Sequence, residues 1–179
     1  MTSAPKYMPH YTVEDYRLWE GDWELWNGVA VAMTPSPFGR HSRLLVSVGS
    51  ELKSATEACG CNATVLAEID WIVSADTVLR PDLIVVCGAE PERHVEETPA
   101  IAVEILSDST RERDLTYKRS IYQQQKLPCY LIVDPDTSQL MVLQLNQDGQ
   151  YVDMPATGDV ELVICDDCRL TIQVDRLFR

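Results

Sequence analysis

The chain has 179 residues, 45% of them hydrophobic and 24% charged, with 28 Asp and Glu against 15 Lys and Arg for a net charge of −13. That length suits one domain, 1–179, with a single substantial core, and the charge argues against a broad electrostatic grip on nucleic acid. No run of 18 apolar residues is present to span a membrane, and MTSAPKYMPHYTVEDY has neither the basic start nor the apolar core of a signal peptide, so a cytoplasmic protein is expected.

In chain order, Thr12 followed three residues later by Asp15 is a capping box that opens a short helix, Thr12 to Trp19. Trp23–Trp26 and Val29–Met33 flank Asn27-Gly28, a strong signal for a tight hairpin. This N-terminal helix and hairpin occupy 10–33. Thr34-Pro35-Ser36-Pro37 breaks the chain before a core at 40–145. From His41 to Ala58, Leu44, Leu45, Val48, Leu52 and Ala55 recur at helical spacing, ending at Gly60. Thr64–Val73, Leu79–Val86 and Ala100–Leu106 read as strands. Ser109 and Glu112 then form a second capping box for a helix to about Gln125, and Leu127-Pro128 stops it. Cys129–Asp134 and Leu140–Leu145 are strands, and the tail, 150–178, adds a small hairpin. The order predicts an α/β fold with a mixed sheet flanked by helices.

Six cysteines stand at 59, 61, 87, 129, 165 and 168. Cys59-Gly60-Cys61 with Cys165-Asp166-Asp167-Cys168 has the donors for a four-thiolate zinc site, though Cys-x-Cys is an unusual spacing. The reading preferred here is reduced cysteines packing as small apolar residues.

Two of the strands are almost wholly apolar, yet each carries one carboxylate, Asp82 and Glu104. Burying an unpaired carboxylate is costly unless a cation or metal holds its charge. Period-two alternation puts Arg80, Asp82, Ile84 and Val86 on one side, and Ala102, Glu104 and Leu106 on one side of the next strand. If the two strands are neighbours, both acids converge. Hard cations such as Mg²⁺ (or Mn²⁺) take oxygen ligands of this type beside a phosphate. Lys118, in the following helix, is placed to orient water or stabilise phosphate charge, and its plainer reading is a surface ion pair with Asp114 four residues earlier. Arg80, Arg111, Arg113 and Arg119 would make a local positive rim for nucleic acid on an otherwise acidic chain; their plainer reading is as solvated residues.

The blocks Arg80-Pro81-Asp82-Leu83-Ile84-Val85-Val86, Val103-Glu104-Ile105-Leu106-Ser107-x-Ser109-Thr110-Arg111-x-x-Asp114-x-x-x-Lys118 and Tyr130-Leu131-Ile132-Val133-Asp134-Pro135 resemble the bacterial putative restriction endonuclease family, formerly a domain of unknown function, of the PD-(D/E)XK nuclease superfamily. Trp23-Glu24-Leu25-Trp26-Asn27-Gly28 resembles its Glu-Leu-Ile-Asp-Gly hairpin, and His41 falls where the family often has histidine. The resemblance spans roughly residues 10 to 178. It implies a restriction-endonuclease-like fold, Mg²⁺-dependent cleavage of DNA, and Asp82 and Glu104 as metal ligands. It also shows a departure, because the usual lysine position holds Leu106, which leaves Lys118 as the substitute. Glu24 and Glu68 are weaker candidates for a third acid. Glu24 otherwise reads as an exposed hairpin residue and His41 as a capping or surface residue.

The apolar hairpin and open sheet edges suggest a homodimer. A catalytically weak, nuclease-like interaction protein and a hydrolase of a small phosphoester are the alternatives to a DNA endonuclease.

Overall fold

The capping box and the hairpin signal of the N-terminal segment both take the form their chemistry dictates. In the computed structural model, which describes residues 8–33, 39–165 and 167–179, Thr12 Oγ1 accepts from Asp15 N and Asp15 Oδ2 accepts from Thr12 N, opening a one-turn α1, Val13–Tyr16. It is shorter than the predicted helix. Strands β1 (Trp23–Trp26) and β2 (Val29–Ala32) are antiparallel, and Asn27 and Gly28 adopt the positive φ values, 46° and 79°, that a type I′ turn requires. A methyl group at Gly28 would overlap the His10 imidazole. Helix α2 (Gly39–Cys59) buries Leu44, Val48, Leu52 and Ala55 and ends at Gly60, φ 68°. The break expected at Thr34-Pro35-Ser36-Pro37 and the first seven residues lie outside the described residues, as does Asp166.

Two predicted strands are each divided. Thr64–Val73 becomes β3 (Ala63–Ala67) and β4 (Trp71–Ser74), separated where Glu68 turns to φ 49°. Leu79–Val86 becomes β5 (Thr77–Leu79) and β6 (Leu83–Cys87). The reason is Pro81, which has no N–H to give a ladder, so Arg80-Pro81-Asp82 crosses from one sheet to the other. Asp82 therefore sits just before its strand rather than within it. Strand β7 (Ile101–Ile105) follows as expected.

The second capping box does not form. Thr110 is the N-cap of α3 (Arg111–Arg113) and makes no side-chain cap bond. The helix then widens into a π-helical turn, Asp114–Lys118, before α4 (Arg119–Gln124). Strands β8 (Cys129–Asp134), β9 (Gln139–Leu145), β10 (Tyr151–Met154), β11 (Asp159–Ile164) and β12 (Cys168–Gln173) and a terminal α5 (Val174–Leu177) complete the order. The tail holds more than the predicted hairpin, since β10 extends the main sheet.

The larger sheet runs β10-β9-β8-β7-β6-β3, and a smaller one runs β2-β1-β5-β4. Strands β7 and β8 are parallel, joined by the α3–α4 crossover; the other pairings of the larger sheet are antiparallel. Side-chain alternation divides its two faces. Leu83, Val85, Ile101 and Val103 pack with α2 and with Leu162, Leu170 and Ile172 of the β11–β12 hairpin. Ile84, Ala102, Leu106, Tyr122 and Tyr130 form the other core, under the crossover. Glu104 lies on this second face, between Ala102 and Leu106.

The cysteines depart from simple packing. Cys61–Cys168 and Cys87–Cys165 are disulfide-bonded, because the β11–β12 hairpin folds back on α2 and the larger sheet and brings distant sulfurs together. Cys129 is buried and free, as expected of a packing residue, and Cys59 is a free thiol. No helix among the described residues is long and apolar enough to cross a membrane.

Candidate active site

The break at Pro81 and the β7 ladder fix the two carboxylates singled out by the sequence. Asp82 Oδ2 accepts from Ile105 N at 2.6 Å, which ties the residue before β6 to the end of β7. Glu104 and Asp82 both line a cavity of about 80 Å³, so they do face the same space. Glu104 is 3% exposed and its Oε1 accepts from Tyr122 Oη at 2.7 Å and from Lys118 Nζ at 2.9 Å. Burial pushes the Glu104 carboxyl well above the ordinary range, against the pull of Lys118.

Lys118 is no surface residue. It is 5% exposed, and its ammonium lies 3.0 Å from Glu24 Oε1 and 2.9 Å from Glu104 Oε1. Asp114, the partner expected from i, i+4 spacing, is the farthest of the three acids at 3.9 Å. Burial alone would lower the Lys118 pKa, but Glu104, Glu24 and Asp114 together raise it, so the side chain is a fixed cation. The π-helical turn directs both Asp114 and Lys118 inward; such turns are rare and recur at functional sites. Leu106, at the usual lysine position, is buried in the core under the crossover.

Glu24 corrects the exposed-hairpin reading. It is 2% exposed, accepts from Arg80 N at 2.8 Å through Oε1 and from Trp26 Nε1 at 3.0 Å through Oε2, and joins the smaller sheet to the lysine. His41 likewise turns inward from the first turn of α2, its Nε2 3.4 Å from Asp82 Oδ1. The Asp82 interaction raises the His41 pKa over the opposing effect of burial. Glu68 lines the cavity from the exposed bend after β3. Sequence reasoning assigned Tyr122 no role and took Asp114 as a surface partner; the signal for both was the four-residue spacing Asp114, Lys118, Tyr122, which places them on one helical side.

The arginines divide. Arg80 and Arg113 line the cavity, but Arg80 is held by Asp70 and Asp22, each at 2.7 Å. Arg111 pairs with Asp134 and Asp136 and is spent on the β8–β9 turn. Its guanidinium holds the Asp134 carboxyl at about 2. Arg119 lies near Tyr151, off the cavity. The rim expected from four basic residues thus reduces to Arg113, whose guanidinium lies 5.9 Å from the Trp26 ring centroid, with Arg80 engaged. A larger cavity of about 720 Å³ lies on the other side of Arg80 among Tyr16, Trp19, Trp23 and His94. It contains no lysine, and its Asp70 is already bonded to Arg80 and Tyr16, so the smaller cavity is the better chemical candidate.

Its donor set fits a hard divalent cation. Glu24, Glu104 and Asp114 surround one buried ammonium and Asp82 lines the same cavity, Arg80 being neutralised elsewhere, and Asp114 Oδ1 is buried without a hydrogen-bond partner. An excess of buried carboxylate of this kind is relieved by a metal with oxygen preference.

The class the fold defines is a mixed α/β protein, with one acid just before β6, one near the end of β7 and a lysine beside them. The fold matches, with a TM-score of 0.70, the crystal structure of a putative nuclease belonging to DUF820 from Anabaena variabilis; the two share 17% identity over 94% of this chain and 97% of that one. The Uma2 family model, described as putative restriction endonuclease, matches residues 13–175, and the chain belongs to that family. None of the curated proteins matches it.

Proposed function

We propose that the chain is a Mg²⁺- or Mn²⁺-dependent endonuclease that hydrolyses DNA phosphodiester bonds. The observation that supports this best is the Lys118 ammonium fixed between Glu24 and Glu104 in the cavity that Asp82 also lines. In this reading Asp82 and Glu104 hold the metal, which supplies Lewis-acid stabilisation of phosphoryl charge and makes water more acidic. Lys118, a permanent cation, donates to the attacking water or to a non-bridging phosphate oxygen as charge develops there. His41 orients Asp82, and Tyr122 with Glu24 keeps Glu104 and Lys118 in register. Water attacks phosphorus and gives up one proton to solvent, the ester P–O bond breaks, and the leaving oxygen takes a proton from solvent. The family membership and the nuclease-like fold support the reaction class.

Supercoiled plasmid incubated with Mg²⁺ or Mn²⁺ is expected to be nicked by the wild type, and the Glu104→Ala and Asp82→Ala variants are expected to lose at least 100-fold of that rate while keeping their circular dichroism. Cleavage that survives both substitutions overturns the site. Metal binding with no cleavage of any DNA favours a nuclease-like interaction protein, and turnover restricted to small phosphodiesters favours the third class. A homodimer is proposed through β2, the edge of the smaller sheet, where Val29 is 47% exposed; sedimentation of the wild type as a monomer at working concentration rejects it.

A further inference from the structure

Away from the acid–lysine cavity, three elements bring sulfur to one point. Cys59 is the last residue of α2, Gly60 turns the chain through φ 68°, Cys61 leads into β3, and Cys168 opens β12. Their three sulfurs all lie within 4.8 Å of one another. Cys59 Sγ stands 2.7 Å from Cys61 Sγ and 3.6 Å from Cys168 Sγ. A cross-link between Cys61 and Cys168 uses two of these atoms and gives no reason for the third. All three are partly buried against the edge of the α2-side core, which leaves their sulfurs reachable from solvent.

Three convergent thiolates are a soft ligand set. Thiolates bound to one zinc at about 2.3 Å stand roughly 3.8 Å apart in tetrahedral geometry, close to the Cys59–Cys168 spacing. The 21-residue α2 ends at this spot, where Thr56 O and Glu57 O accept from Cys59 Sγ and Gly60 N. The site also has a mechanical purpose. Among the described residues the β11–β12 hairpin pairs with no strand of the two larger sheets, and it is held to them by core packing and by Cys87–Cys165. Gln173 N at the end of β12 donates to Glu51 Oε1 of α2 at 2.9 Å.

We propose that the reduced chain binds a soft divalent metal, zinc by its ligand set, on the thiolates of Cys59, Cys61 and Cys168, clasping the C-terminal hairpin to the end of α2. The metal and the Cys61–Cys168 cross-link need the same two sulfurs, so the metal-loaded form is the dithiol form. The ligand class is distinct from that of the carboxylate cavity, which calls for a hard cation.

The test uses the full chain, reduced with a phosphine and titrated with Co²⁺ and then Zn²⁺. One Co²⁺ per chain is expected to give intense thiolate-to-cobalt charge-transfer absorption of at least three thiolates, which Zn²⁺ displaces. The Cys59→Ser and Cys168→Ser variants are expected to lose that absorption, whereas Cys129→Ser keeps it. The reduced wild type is expected to melt lower once a strong chelator has removed zinc. A reduced wild type with no thiolate absorption overturns the proposal, and so does zinc uptake equal to that of the triple serine variant. If a serine variant fails to fold, the wild-type cobalt spectrum decides alone. A Cys61–Cys168 bond that persists through reduction, seen as missing thiols on alkylation, also overturns it.

Discussion

Lys118 is a buried ammonium whose charge is met by close carboxylates from two sheets. Desolvating an ammonium costs several kcal/mol, and the carboxylates of Glu24 and Glu104 at 3.0 and 2.9 Å offset that cost only while the lysine is present. Lys118→Met therefore strands two buried acids, and a loss of about 3 kcal/mol is expected in urea denaturation, together with loss of nicking. Asp114 makes the opposite case. Burial raises its pKa from 3.8 to about 6, so the native state holds a proton that the unfolded chain releases. The stability this contributes is complete below pH 4 and is lost as pH rises through about 6. Asp114→Asn is expected to flatten the pH dependence of unfolding between those values and to raise stability at pH 7.5 by on the order of 2 kcal/mol; an unchanged slope would contradict the assignment. His41 titrates in the same sense. Its pKa is raised by Asp82, so its contribution is present below the ordinary histidine range and disappears as pH rises through the higher folded value. Of these residues, Asp82 and Glu104 were legible because apolar neighbours marked them as buried. Glu24 and His41 were named only as weaker candidates from the family resemblance, since nothing in a hairpin or in the first turn of a helix says which way a polar side chain points until a second sheet covers it.

At the scale of elements, local signals were read well where their chemistry is self-contained. The Thr12–Asp15 box and the Asn27-Gly28 turn need only their own residues, and both form. The apolar runs misled where one proline or one positive φ redirects a continuous hydrophobic segment into another sheet, as at Pro81 and Glu68. The π-helical turn is a further case, because its extra residue per turn leaves no pattern in composition. Its consequence is testable. Deleting Thr116, an exposed residue in that turn, is expected to restore α-helical pitch and to rotate Lys118 relative to Asp114. Far-ultraviolet circular dichroism should stay near wild type while nicking falls at least tenfold. Full activity in the deletion would show that the wide turn does not place the lysine.

At the scale of the whole molecule, a net charge of −13 and arginines already bound to Asp22, Asp70, Asp134 and Asp136 leave few free cations for phosphate. DNA affinity without divalent metal is expected to depend weakly on salt, with a log–log slope of about −1 to −2; fluorescence anisotropy across ionic strength checks it, and a steep slope would reveal a basic surface that the site does not supply. The overall α/β architecture and the mixed sheet were legible from the order of elements and from the family-like blocks. Its division into two sheets was not, because sheet membership depends on long-range pairing. That division bears on when the protein can act. Glu24 belongs to the smaller sheet, Glu104 to the larger, and Lys118 to the crossover, so the lysine has both its counterions only after all three have docked. On the proposed mechanism, a nascent or partly opened chain is chemically silent toward the DNA around it, and the cutting centre exists only while the two sheets and the crossover are docked.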